Sequence, residues 1–219
     1  MTVNKLPFWR GAGGRKPRKT EKDWLYFDLI EVASHDACPI CSLLDKRENR
    51  QIDWLFYESV NDPGVREKFR AAGGLCRWHT HVILKQGDAL GLSILAADLV
   101  SRNGDFSKET ADICPLCAAR EENEKRVVKA FAGYLRLPEF WEALEKSPGV
   151  CRRHFGLISA QFSDKALSAK FADFEKQKLS LLASNLAEII RKNDYRFQAE
   201  KISEDEAKAI RIAWEFLRK

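Results

Sequence analysis

The chain has 219 residues, 45% of them hydrophobic and 32% charged, with a formal net charge of +5. That much apolar material supports a real core in one domain or two small ones, and the composition excludes an intrinsically disordered chain. The longest apolar stretch, "LGLSILAADLV", is broken by glycine and aspartate and falls short of the roughly 18–20 residues a membrane span needs.

The positive charge is not spread evenly. Lys5, Arg10, Arg15, Lys16, Arg18, Lys19 and Lys22 stand against Glu21 alone, a net of +6, and leave 30 basic and 31 acidic side chains for the rest. A neutral body therefore carries a basic arm over 1–21, which reads as a solvated tail or as a phosphate-binding segment. The arm also holds "LPFW", apolar side chains suited to docking on the body or on a partner. It has no apolar h-region, so it does not read as a secretory signal, and a cytoplasmic address is expected.

The body reads as helices in chain order. "EKDWLYFDLIEVAS" places Trp24, Phe27, Leu29 or Ile30, and Val32 along one helix. "CPIC" opens the next, which runs through Leu43, Leu44, Ile52, Leu55, Phe56 and Val60. "NDPGVREKFRAAGG" is a short helix with Asp62 as cap, Pro63 in the first turn and glycine as its stop. After "GLCRWH" the series resumes with "PLCAAREENEKRVVKAFAGYL", "PEFWEALEKS" and "GVCRRH". Leu167, Phe171, Phe174, Leu179, Leu182, Leu186, Ile189 and Ile190 recur at threes and fours along a long helix from Lys165 to Asn193. The last helix starts at a capping box, Ser203 with Glu206, and would bury Ile210, Ile212 or Ala213, Trp214 and Leu217. No alternating strand or hairpin dipeptide appears, so the fold class is all-α: a duplicated helical repeat followed by a long C-terminal helical pair. The aromatics of "DWLFYES", with Phe131, Phe140 and Trp141, read as core rather than as a ligand box.

All six cysteines belong to that duplication. "CPIC", 34 residues and "GLCRWH" are followed by "CPLC", 33 residues and "GVCRRH". Counting back from the third cysteine of each copy, Pro63 meets Pro138, Glu67 meets Glu142 and Gly74 meets Gly149. The organisation read from this is a basic arm at 1–21, a first Cys3His repeat at 22–103, a second at 104–162, and C-terminal helices at 163–219 that pack on the repeats as one globular unit.

The expected metal ligands are Cys38, Cys41, Cys76 and His79, then Cys114, Cys117, Cys151 and His154. Three thiolates and an imidazole are a standard tetrahedral zinc set, and CxxC and CxxH are its local pairs. In CPxC the proline suits the first helical position and the first cysteine the N-cap, where free amides and the helix dipole favour thiolate. Duplication favours each copy building its own site; a swapped arrangement, the first CPxC joining the second CxxH, stays open. Arg77 and Arg152, each beside a ligand, would offset the net negative charge of three thiolates on Zn²⁺. His35 and His81 face Ala111 and Gly156 in the other copy, so the repeat assigns them no ligand role. Two Zn²⁺ ions are expected, with an iron–sulfur cluster at one or both sites as the alternative. Disulfides leave the paired histidines unexplained, and a glutaredoxin-like dithiol requires strands that this sequence lacks.

The order CPxCxL, "YESVNDPGVREKFRAAGGLCRWH", CPLC and CRRH resembles an uncharacterised bacterial domain-of-unknown-function family over about residues 22–190. The resemblance implies a bacterial cytoplasmic protein and the metal ligands named above, and it implies no activity. No Ser-His-Asp signature, phosphate loop or HExxH is present, and Asp28, Glu31 and His35 are not distinguishable from solvated charges, so the reading leans away from an enzyme. The function expected is a metal-binding helical scaffold for a protein partner, or for nucleic acid through the basic arm 5–22. The alternative is an iron–sulfur or redox accessory protein.

Overall fold

The computed structural model describes residues 22–86, 88–102, 113–197 and 199–218, and the basic arm 1–21 with its LPFW segment lies outside them. The described residues form ten α-helices and one π-helical turn, with no strand. In order these are α1 (Trp24–Ala33), α2 (Pro39–Trp54), the π turn (Leu55–Ser59), α3 (Pro63–Ala71), α4 (Arg77–Gln86), α5 (Ala89–Arg102), α6 (Pro115–Tyr134), α7 (Pro138–Leu144), α8 (Arg152–Ser159), α9 (Lys165–Lys192) and α10 (Glu204–Leu217). Among the described residues no helix is long and apolar enough to cross a membrane.

Local chemistry sets most of the boundaries. Asp23 caps α1 by accepting from the amides of Leu25 and Tyr26, and Asp62 caps α3 by accepting from Val65. Cys38 and Cys114 are the N-cap residues of α2 and α6, each with proline at the first helical position. Ser203 and Glu206 close the capping box of α10 in both directions. Gly74 and Gly149, equivalent in the repeat, stand at φ +116° and +92° in the turns just before the CxxH helices, a backbone that side-chain-bearing residues rarely adopt.

The main core gathers Leu25, Tyr26, Leu29 and Val32 of α1 with Leu43 and Leu44 of α2, Val127, Val128 and Phe131 of α6, Phe140 and Leu144 of α7, and Phe171 of α9. The aromatics meet edge to face, Phe131 against Phe140 at 5.1 Å and Tyr26 against Tyr134 at 5.3 Å. A much smaller core sits at the other end of α2, where Ile52, Ile83 and Leu116 close round Cys114. A third cluster, Leu55, Val60, Phe69 and Leu95, ties the π turn to α3 and α5. Beside it the carboxylate of Asp98 accepts from Arg66 at 2.9 Å and Arg70 at 2.7 Å.

Three expected faces differ from those observed. On α1, Trp24 and Phe27 point outward and the buried stripe is Leu25, Tyr26, Leu29 and Val32. Of the α2 continuation, Ile52 and Leu55 are buried, but the helix widens into the π turn and Tyr57 is left 90% exposed. On α10, Ile210, Trp214 and Leu217 are exposed, while Ala209 and Glu206 are buried. Ion pairs set the phase of that helix: Lys192 meets Glu206 at 2.7 Å, and Lys208 and Arg211 approach Asp36. The hydrophobic stripe of an amphipathic helix is broad enough that polar anchors can rotate it by a residue.

Candidate metal centres

The eight expected ligands converge as two groups of four, and the pairing is crossed. Cys38 and Cys41 of the first copy meet Cys151 and His154 of the second; Cys114 and Cys117 of the second meet Cys76 and His79 of the first. Within each group the donor atoms all lie within 4.8 Å of one another. The favoured pairing, each copy closing its own site, is therefore corrected: neither copy holds four donors in one place. All six cysteines are free thiols.

The geometry in the first group is compact. Nδ1 of His154 lies 3.4 Å from the sulfurs of Cys38 and Cys41 and 3.1 Å from that of Cys151, with Cys41 and Cys151 3.8 Å apart. In the second group Nδ1 of His79 lies 3.1, 3.4 and 3.3 Å from Cys76, Cys114 and Cys117, and Cys76 and Cys117 are 3.6 Å apart. Zn–S bonds of about 2.3 Å and Zn–N bonds of about 2.0–2.1 Å make tetrahedron edges of about 3.8 Å between sulfurs and about 3.6 Å between sulfur and nitrogen. The sulfur–sulfur distances of 3.8 and 3.6 Å match that edge and the sulfur–nitrogen distances of 3.1–3.4 Å fall up to about half an ångström inside it, so the residues present fit a single small ion.

Behind each imidazole stands a carboxylate from the opposite CPxC helix. Nε2 of His79 is 2.8 Å from Glu48 on α2, and Nε2 of His154 is 3.1 Å from Glu124 on α6. Each carboxylate is held by an arginine: Glu48 by Arg120, which also bonds Asp45, and Glu124 by a bidentate Arg153. Contacts of Arg120 with Asp45 and Glu48, set beside that of His154 with Cys41 and Glu124, require α2 and α6 to run antiparallel. Each helix thus supplies two thiols to one cluster and, seven residues on, the carboxylate that orients the imidazole of the other.

Glu48 and Glu124 are the functional residues that the sequence reading missed. They occupy equivalent positions, two helical turns beyond the second cysteine of each CPxC. Arg77 and Arg152, expected to serve the sulfurs, are instead exposed at the outer side of α4 and α8, and neither makes a hydrogen bond or ion pair among the described residues. The working arginines, Arg120 and Arg153, have no counterpart in the other copy, where Leu44 and Trp78 stand. His35 and His81 are exposed and outside both groups. Asp28 and Glu31 do not join His35 as an acid–base set, since they pair with Arg47 and Lys46.

Electrostatically, the cysteine of each CxxH is shifted toward its thiolate. Bonds from Cys38, Cys41 and His154 hold Cys151 far below the ordinary thiol range. Burial opposes ionisation of Cys76, but the amide and imidazole of His79 outweigh it and bring that thiol down to about 7. Cys38 and Cys117 move the other way: burial and neighbouring thiols raise Cys38 well above the ordinary value and push Cys117 up to about 12. Burial alone would depress His154, yet its bonds to Cys151 and Cys41 hold it at about 9. A dication entering either group has to expel these remaining protons, so metal uptake strengthens as pH rises.

Beside the first group, both carboxylate oxygens of Glu175 on α9 accept from the amide of Val150 at 3.1 Å, and burial raises this acid to about 8. A Cβ on Gly149 would come within 2.7 Å of that carboxylate, so this position needs glycine for space as well as for its backbone angle.

The fold and the two clusters define a class: an all-helical protein built round a pair of crossed Cys3His centres suited to metal ions. Within it the chain belongs to the Family of unknown function (DUF6062), whose model matches residues 28–105 and 96–218. It is also similar to the "Uncharacterized 23.9 kDa protein in xynA 3'region" of Caldicellulosiruptor sp. (strain Rt8B.4), 27% identical over 200 residues that span 86% of this chain and 98% of that protein. No solved structure matches the chain.

Proposed function

We propose that this protein is a helical scaffold in which each crossed cluster holds one Zn²⁺ as a structural ion, and that its surface engages a protein partner. The eight ligands are Cys38, Cys41, Cys151 and His154 in one site and Cys76, His79, Cys114 and Cys117 in the other. The observation that carries this reading is the pair of four-donor sets with tetrahedral edge lengths. Four protein donors leave no coordination position for a substrate, which favours a structural over a catalytic ion. A multi-iron cluster has to stand between its ligands and would hold them further apart, so the spacing favours a single ion over an iron–sulfur centre.

A protein partner is favoured by the neutral body and by exposed apolar side chains on two helices, Trp78 and Leu84 on α4 and Trp214 and Leu217 on α10. The deciding experiment is metal analysis with a visible spectrum on protein purified without oxygen. A colourless protein with about two zinc ions per chain is expected. A brown protein with iron and labile sulfide would overturn the zinc reading in favour of an electron-transfer role.

A further inference from the structure

A groove of about 1090 Å³ opens between α1, α2, the π turn, α3 and α6; it includes none of the eight metal ligands, although Pro115 and Leu116 of its lining lie between Cys114 and Cys117. Its floor is apolar, formed by Leu55, Phe69 and Leu116, each no more than 4% exposed, and the indoles of Trp24 and Trp54 stand on its walls. Three guanidinium groups share the same walls: Arg47 and Arg50 on α2, and Arg126 on α6.

Against Arg47, Arg50, Lys68 and Arg126 the groove carries only two acids, Asp28 and Glu122, which leaves its walls with an excess of positive charge. Arg47 is largely buried, its side chain 11% exposed, and its ion pair with Asp28 is long at 3.4 Å. It lies 4.5 Å over the ring of Trp24. Arg126 reaches Glu122 at 3.3 Å, an exposed pair on one helix turn, and Arg50 makes no ion pair among the described residues. Burial pulls the guanidinium of Arg47 below its ordinary value against the opposing bond and attraction of Asp28, and the neighbouring Arg126 and Arg50 add a smaller repulsion.

We infer that this groove binds an amphipathic organic anion, its carboxylate or phosphate head held by Arg47, Arg50 and Arg126 and its apolar body lying on Leu55, Phe69 and Leu116. A planar guanidinium pairs with either head group through two parallel hydrogen bonds, and it favours an anion most where water is partly excluded. The volume is at the upper end for small-molecule sites, which suits an extended body rather than a compact metabolite. The chain's own amino-terminal segment, with a net of +6, carries the wrong charge to fill a groove walled by arginine. This inference does not depend on the identity of the metal.

The test is calorimetric titration of the full-length, metal-loaded protein with dodecanoate, dodecyl phosphate and neutral dodecanol, each below its aggregation limit. Both anions should bind one per chain, with affinity falling as salt is raised, and dodecanol should bind at least tenfold more weakly. The double variant Arg50→Glu/Arg126→Glu, altered only at exposed side chains, should lose at least tenfold in affinity for both anions. Circular dichroism and metal content should be unchanged, which separates lost recognition from lost folding. Ala119→Trp, which fills the groove from α6, should abolish binding of all three probes. Equal binding of dodecanol and the anions, or unchanged affinity in the double variant, would overturn the inference. So would tight binding of an acidic amphipathic peptide with none of the small anions, since the occupant would then be a partner helix.

Discussion

The two clusters have the same donors in mirrored order, and yet they occupy different surroundings. Cys38, Cys41, Cys151 and His154 are all buried, and three of them belong to the main core between α1, α2, α6 and α9. In the second cluster Cys76 and Cys117 are half-buried, and among the described residues Ile52, Ile83 and Leu116 form the buried core beside it with Cys114. The same chemistry is therefore placed once in a large core and once, among the described residues, beside a small one. A structural ion adds most to local order where the hydrophobic core is thin, and it exchanges most readily where solvent reaches its ligands.

The largest expected effect separates these two conditions. Cys41→Ser should lose one metal per chain and expose a half-coordinated polar hole in the main core, with a broad loss of helical content measured by circular dichroism. Cys117→Ser should also lose one metal but unfold mainly α4 and α5, seen as hydrogen exchange confined to those helices. Equal losses from both variants would show that the difference in packing carries no energetic weight.

Next come the crossed carboxylates. Glu48→Gln should weaken metal at the Cys76–Cys117 cluster and Glu124→Gln at the Cys38–Cys151 cluster, each by roughly 10–100-fold, read by competition with a chromophoric chelator. The sharp feature is the crossing, because Glu48 lies on the helix that carries Cys38 and Cys41. Weakening of the cluster on its own helix would break the arrangement. Accessibility gives a third measure: a thiol-alkylating reagent with a chelator present should label Cys76, half-buried and lowered to about 7, before the buried Cys38, Cys41 and Cys151, mapped by peptide mass.

A smaller effect concerns pH near the buried cluster alone. Glu175 is raised to about 8 in the folded protein against an ordinary value of 4.5, so unfolding releases its proton between those limits. Stability contributed at this position therefore falls as pH rises through that window. Glu175→Gln should remove the slope, gaining thermal stability relative to the parent at pH 8 and not at pH 5. The smallest effects are expected from Arg77→Ala and Arg152→Ala, within about 0.5 kcal/mol of the parent in denaturant unfolding.

What could be read from the sequence followed the range of the interactions. The CPxC and CxxH pairs were legible because their geometry is local: a proline at the first helical position, a cysteine at the cap, two ligands one turn apart. The caps of α3 and α10 were legible for the same reason. The crossing was not, since each CPxC is chemically an equal match for either CxxH, and only the antiparallel packing of α2 against α6 chooses between them. Glu48 and Glu124 were visible as a repeated position, but their task depends on that same packing. The outward face of α10 escaped because Lys192 and Asp36, on distant segments, set its rotation through Glu206, Lys208 and Arg211.

The crossed pairing gives the duplication a meaning of its own. A chain carrying one copy would hold two half-sites that cannot close on each other, and would have to meet a second such chain, related by a two-fold axis, to complete both. The protein is in that sense a tethered dimer, with its interface running between α2 and α6 and a metal-binding rivet at each end. During synthesis neither rivet can close early: the first pair of thiols waits for Cys151 and His154, more than a hundred residues later, and the second half-site for Cys114 and Cys117.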